Sequence, residues 1–288
     1  MKILLVADEE LRELWDHWNH VGKSRTEGVE LILSAGDIKP YYLEFLVTML
    51  NVPCLYVRGN HDGYYDVQPP RGCIDIEGKI CELTIPAGGD AAGLQESAGP
   101  GAQTKRNQDP GARTGRNQDP GARTIRIAGL GGSMRYREGP DMYSEKEMRK
   151  RIRALRRSMR LGRVILPDGR TSVRRDLAKS YRATRRNYTS SIRTQVPNQP
   201  AAPASSDTPA SRPIDILLTH APSLGHGDLD DLPHRGFACF NDLIESLRPL
   251  YHCYGHVHRE YDPMKKRESE HPSGTHLINV GGMYILDI

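Results

Sequence analysis

Along residues 1–86 and 214–288 the apolar positions switch between the two-residue period of strands and the 3.6-residue period of helices. Ile3 to Ala7 is a short unbroken apolar run, which predicts a buried strand. Leu11, Leu14, Trp15, Trp18 and Val21 then recur at helical spacing. Val29 to Leu33 predicts a second strand, Tyr41 to Leu50 a helix, and Cys54 to Val57 a third strand. Cys73 to Ile76 and Ile80 to Ile85, separated by Glu77 and Gly78, read as a hairpin. The later strands are Ile125–Ala128, Asp215–Thr219, Tyr251–Tyr254, Leu277–Val280 and Tyr284–Ile288, with a helix near Asn241–Leu247.

Two stretches interrupt this alternation. Between 87 and 123 a ten-residue unit repeats, from Gly101 to Pro110, again from Gly111 to Pro120, with a third copy beginning at Gly121. The units hold no apolar residue beyond alanine, so they cannot stack into a solenoid and read as a surface loop. After Gly129-Leu-Gly-Gly132, Ser144-Glu-Lys-Glu147 forms a capping box. Met148, Ile152, Leu155 and Met159 follow on one helical face. Arg163 to Arg193 has weaker periodicity and leaves helix and coil both open. Gln195 to Pro213 carries five prolines and reads as a linker. The simplest account is a single α/β domain over 1–288, with a low-complexity insertion at 87–123 and a basic, Pro-rich insertion at about 160–213.

Charge changes the picture at one place. From Ile125 to Arg193 there are 20 Lys and Arg against 6 Asp and Glu, a local net of +14 in a chain whose formal net is +4, so the remainder carries −10. Such a segment suits a phosphate-rich ligand, nucleic acid included, or a solvated arginine-rich face. The five cysteines are scattered, with no C-x-x-C pair, which fits reduced thiols in a cytoplasmic protein. No apolar run is long enough to span a bilayer, so no membrane partner is expected. Oligomeric state leaves no mark in the sequence.

The chemistry lies just after the apolar strands: Asp8 and Glu10, then Gly36-Asp37, then Gly59-Asn60-His61-Asp62, then His220, then Gly255-His256-Val257-His258. Ligands of α/β sheets bind beyond the carboxyl ends of the strands. Carboxylate, amide and imidazole converging there would suit Mn, Fe, Zn or a related divalent metal. In extended chain, residues i and i+2 point the same way. On that basis Asp8 pairs with Glu10, and His256 with His258, while Glu9 points away. Arg58, beside the Asn60 turn, and His234 and Arg235, in the loop before the last histidines, are candidate substrate contacts.

These residues resemble the calcineurin-like metallophosphoesterase family, whose pattern is D-x-H, G-D, G-N-H-[DE], a lone His after a strand, and G-H-x-H. The resemblance implies a sandwich of two mixed β-sheets flanked by helices and a centre of two divalent metals, Mn or Fe first, with Mg and Zn as further candidates. It implies that Asp37 bridges the metals, that Asp8 and His258 complete one site, and that Asn60, His220 and His256 complete the other. His61 would contact the phosphate and aid the leaving group, with Asp62 bracing its ring. The implied reaction is hydrolysis of a phosphomonoester or phosphodiester by a metal-bridging hydroxide, on a phosphorylated small molecule. The alternatives are a nuclease and a non-catalytic module that kept the fold. One departure stands out: Glu10 occupies the place of the family's first histidine. It is either a metal ligand or an acid at the start of the following helix.

Overall fold

The structure is a computed structural model that describes residues 1–85, 123–194, 212–258 and 266–288. The decapeptide repeat and most of the proline-rich linker lie outside the described residues. The first half of the chain runs β1 (Lys2–Ala7), α1 (Arg12–Trp15), α2 (Lys23–Arg25), β2 (Val29–Ser34), α3 (Pro40–Leu50), β3 (Cys54–Tyr56), β4 (Cys73–Asp75) and β5 (Ile80–Ile85). Then come β6 (Arg123–Leu130), β7 (Ser133–Met134), β8 (Met142–Tyr143), α4 (Glu145–Leu161), β9 (Arg163–Ile165), β10 (Thr171–Val173) and α5 (Arg175–Thr194). The chain closes with β11 (Ile216–Thr219), α6 (Ala238–Leu247), β12 (Tyr251–Tyr254), β13 (Glu268–Glu270), β14 (His276–Asn279) and β15 (Gly282–Asp287).

Two large mixed sheets flanked by helices carry the fold. One has the order β15-β1-β2-β3-β4, the other β10-β9-β5-β6-β11-β12-β14-β13. Strands β1 to β4 are mutually parallel, with β15 antiparallel at the edge; β6, β11, β12 and β14 are parallel in the second sheet. Both faces of the central strands are covered, which is why they read as continuous apolar runs. On β1, Ile3, Leu5 and Ala7 join Ile216, Leu218, Cys253 and Ile278 in one core cluster. Leu4 and Val6, on the opposite face, meet Tyr42, Leu43 and Leu46 of α3. Ala128, Leu217 and Leu277 turn outward from the second sheet onto the buried sides of α4, α5 and α6.

The hairpin reading of 73–85 is corrected. β4 ends one sheet while β5 enters the other, because Gly78 donates its N–H to the Gly129 carbonyl at 3.0 Å and diverts the chain. The basic segment is folded rather than coiled. Its helix α4 opens on the full capping box of Ser144 and Glu147 and stops at Gly162, whose φ is 68°. Met148, Ile152, Leu155 and Met159 are its buried residues, the face that the spacing specified. Val164, Leu177 and Tyr181 enter the same core. Glu82, nearly buried on β5, is held by Arg126 at 2.9 Å and by Arg174, which offsets the cost of burying its charge. Among the described residues no helix is long and apolar enough to cross a membrane.

Candidate metal centre

The candidate residues follow the carboxyl ends of β1, β2, β3, β11 and β12, and hydrogen bonds tie these ends together. The Asp8 N–H donates to the Gly36 carbonyl at 3.1 Å, and the Gly255 N–H to the His220 carbonyl at 2.9 Å. Both carboxylate oxygens of Asp8 face the His256 N–H, at 2.9 and 3.1 Å. Asp37 Oδ1 accepts the His61 N–H at 2.8 Å.

Three of these residues hold left-handed backbone: Asp8 at φ 66°, Asp37 at φ 55° and His256 at φ 69°. Such a conformation costs an L-residue about 1–2 kcal/mol, so three at one place mark strain that the surrounding bonds sustain. It also cancels the i, i+2 rule, because neither Asp8 nor His256 continues its strand. Glu9, rather than Glu10, therefore lies against His258, with Oε1 3.7 Å from Nδ1.

The convergence is tightest at Asp37, His220 and His256, whose ligand atoms all lie within 4.8 Å of one another. Asn60, 4% exposed, adds its Oδ1 at 3.0 Å from His220 Nε2, and Asp37 Oδ2 stands 3.3 Å from the same nitrogen. The tautomers suit metal binding. His220 Nδ1 donates to the Ala35 carbonyl at 2.8 Å, which leaves Nε2 as the ring's ligand atom. His256 Nε2 donates to the Pro233 carbonyl at 2.7 Å, which leaves Nδ1. Backbone carbonyls that fix the outer ring nitrogen in this way are the usual support of metal-binding histidines. Imidazole, carboxylate and amide together form a donor set for a divalent transition metal. The residues present fit such an ion.

Charge in the metal-free protein is concentrated on one pair. Burial opposes the charged form of His220, but Asp37 beside it outweighs burial and raises the imidazole to about 9. Asp37 is likewise opposed by burial and held down to about 2 by His220. Burial, with the His220 charge, drops His256 to about 3, so its ring is neutral. Burial pushes Asp8 up to about 6.

Two glycines make the close approach possible. A side chain on Gly59 would run into the Asp37 carboxylate, and a Cβ on Gly255 would sit 2.8 Å from Asp8 Oδ2. Asp62 has a different task from the expected brace on the His61 ring. Its Oδ2 takes the N–H groups of Asp37 and Gly59, each at 2.8 Å, and so clamps the two turns together. Among the described residues its Oδ1 has no hydrogen-bond partner, and burial, then Asp37, push the carboxyl up to about 7.

Other candidates are spread around the cluster. His61 exposes its side chain beside Asp37, and the His234 ring centroid is 5.5 Å from that of His256. His234 Nδ1 also meets Asp231 Oδ2 at 2.7 Å. Arg235 is exposed, while Arg58 pairs with Asp66 at 2.5 Å. Glu10 is turned onto α3: Oε1 accepts the Lys39 N–H at 3.0 Å and Oε2 meets Lys39 Nζ at 3.2 Å. The acid thus sits at the positive end of α3, and not of α1, the helix that follows it in the chain. Glu10→Gln is therefore expected to leave metal occupancy unchanged and to lower the melting temperature slightly. Metal content after dialysis against equal Mn and Zn checks this, and loss of an ion would place Glu10 at the metal. The sequence reading missed Glu9 and the carbonyls of Ala35 and Pro233. Backbone groups leave no residue-type signal, and Glu9 was hidden by the turn at Asp8.

No family model matches the chain. It is 43% identical over 51 residues to the UPF0046 protein T07D4.2 of Caenorhabditis elegans, covering 17% of this chain and 13% of that protein. It is 39% identical over 54 residues to the UPF0046 protein C25E10.12 of the same organism, covering 17% of this chain and 19% of that protein. The chain thus matches less than a fifth of either relative's length. Among solved structures, that of TT1561 of Thermus thermophilus aligns with a TM-score of 0.44 at 12% identity, over 98% of this chain and 89% of that one.

Proposed function

We propose that the protein is a metal-dependent phosphoesterase of the calcineurin-like type, acting on a phosphomonoester or phosphodiester of a small molecule. The observation that carries this reading is the Asp37, His220 and His256 cluster, with Asn60 on the same imidazole nitrogen. Asp37, Asn60, His220 and His256 would hold one divalent ion, and Asp8, Asp37 and His258 a second, Mn or Fe in preference. Bound there, the ions would supply a nucleophile near neutral pH and stabilise the charge that develops on phosphate oxygens. The chain's own residues do the rest. Asp62 fixes the turns that present Asp37 and Asn60, and the exposed His61 imidazole protonates or orients the leaving oxygen. His234, whose ring lies beside that of His256, and the exposed Arg235 would contact a phosphorylated substrate. Glu10 would join the Asp8 side only by releasing Lys39, so the His220 side is expected to fill first.

The raised His220 gives a pH signature. A group whose folded value lies above its ordinary 6.5 stabilises the metal-free fold fully below that pH, and loses the contribution as pH rises through about 9. Metal affinity runs the opposite way, because the Nε2 proton must leave before a metal can bind. At pH 7, Mn binding is expected to release about one proton per first ion. Calorimetry in buffers of differing ionisation enthalpy measures this, and zero release would mean that His220 is neutral before the metal binds or is not a ligand.

The activity itself is tested by stripping the protein with chelator, restoring Mn, and offering an aryl phosphomonoester and an aryl phosphodiester. Metal-dependent turnover of either supports the proposal, and the preferred one assigns the ester class. Retained metal with neither ester cleaved would favour a non-catalytic module, the reading to which Glu10's commitment to Lys39 points.

A further inference from the structure

A surface groove of about 370 Å³ lies between α4 and α5, lined by Arg160 from the first and by Arg182, Arg185, Arg186 and Thr189 from the second, around Tyr181. On α5 the three arginines and Thr189 fall at i, i+3, i+4 and i+7, one face of the helix, spanning about 10 Å along its axis. Among the described residues no carboxylate lines the groove. The only acid on α5 is Asp176, and Arg126 engages it.

Three other arginines of α4 are engaged by the protein. Arg149 pairs with Asp242 at 3.0 Å, Arg156 donates to Ser246 at 2.7 Å, and Arg151 pairs with Glu77. Among the described residues the four groove arginines have no ion-pair partner. Four guanidinium groups around one concavity repel one another until an anion joins them. Their planar forks match phosphate oxygens in pairs, whereas the Thr189 hydroxyl already donates to the Arg185 carbonyl at 2.8 Å. The α5 guanidinium groups span about 6 Å of helix axis, with Arg160 added from α4, which is more than one phosphate needs and suits two in series. Tyr181 is 3% exposed, so its ring offers no face on which a base could stack.

We propose that this groove is a binding site for linked phosphates, distinct from the metal centre. It would grip a phosphate chain through its charge, without reading bases. A free polyphosphate and the backbone of a single-stranded nucleic acid share this chemistry.

The test titrates the full chain at low salt with tripolyphosphate and, separately, with a fluorescent single-stranded oligonucleotide. The wild type is expected to bind at least one. Arg182→Gln, Arg185→Gln and Arg186→Gln together should weaken that binding by about tenfold or more, and Arg160→Gln alone should weaken it in the same direction. A control removes three exposed positive charges elsewhere, Lys23→Gln, Arg71→Gln and Lys146→Gln, and should leave the affinity nearly unchanged. For the oligonucleotide, the slope of log affinity against log salt should be about −2 to −3 and flatten in the groove variant. Tighter binding of the oligonucleotide assigns a nucleic-acid backbone, and tighter binding of tripolyphosphate a free chain. The proposal is overturned if neither probe binds, or if the groove and control variants weaken binding equally, which would reduce the effect to net charge. All substituted side chains lie at the surface, and an unchanged melting temperature verifies the fold. Because the readout is binding, the result stands apart from whether the metal centre hydrolyses esters.

Discussion

Asp37→Asn is expected to strip the protein of metal and, with it, of phosphoesterase turnover. Asp37 Oδ2 stands 3.3 Å from His220 Nε2 and Oδ1 takes the His61 N–H, so one carboxylate sits between the candidate ligands and the turn that carries His61. Asparagine keeps the size and removes the charge. The His220 imidazole then loses the partner that raises it to about 9, and should titrate well below that value in the metal-free variant. Loss of even a supporting residue typically costs about 10–100-fold in metal affinity, so a direct ligand should cost about 100-fold or more. Metal content after dialysis and the histidine titration, followed by NMR, report on the two effects separately. A variant that holds metal as tightly as the wild type would remove Asp37 from the centre.

His61→Ala is expected to behave differently, with turnover down by ~10²–10⁴-fold while metal content stays at the wild-type level. The reason is geometric. His61 anchors to Asp37 through its backbone N–H, which alanine retains, and leaves its imidazole exposed. The loss should be larger for a substrate with a poor leaving group than for an activated aryl ester, because less protonation is needed in the second case. Equal losses on both substrates would indicate that His61 binds phosphate without handling the leaving oxygen. Loss of metal would show the ring to be a ligand.

Much of this arrangement was legible in the residues. The apolar runs located the central strands because both sheet faces are covered, and the polar residues after them marked the end of the sheets where Asp37, Asn60, His220 and His256 meet. The capping box at Ser144 and the Met148 to Met159 stripe likewise read directly into α4. What stayed hidden depends on backbone geometry that residue types do not encode. Left-handed turns at Asp8 and His256 exchanged the roles of Glu9 and Glu10 relative to the alternation rule. Asp62 was read through its neighbour His61, yet its bonds go to the N–H groups of Asp37 and Gly59, the first of these 25 residues back in the chain. A turn at Glu77 and Gly78 signals a reversal without saying whether the next strand pairs with the last or crosses to the other sheet. The periodicity of α5 was masked by its arginines; among its described residues Leu177 and Tyr181 join the core cluster.

The central claim is that a divalent metal is held by Asp37, Asn60, His220 and His256. It is tested most directly by anomalous diffraction at the manganese edge from crystals soaked in Mn. A peak is expected within about 2.0–2.6 Å of an Asp37 carboxylate oxygen, Asn60 Oδ1, His220 Nε2 and His256 Nδ1. A soaked crystal with no peak among these four atoms, or with manganese bound only elsewhere on the chain, would contradict it.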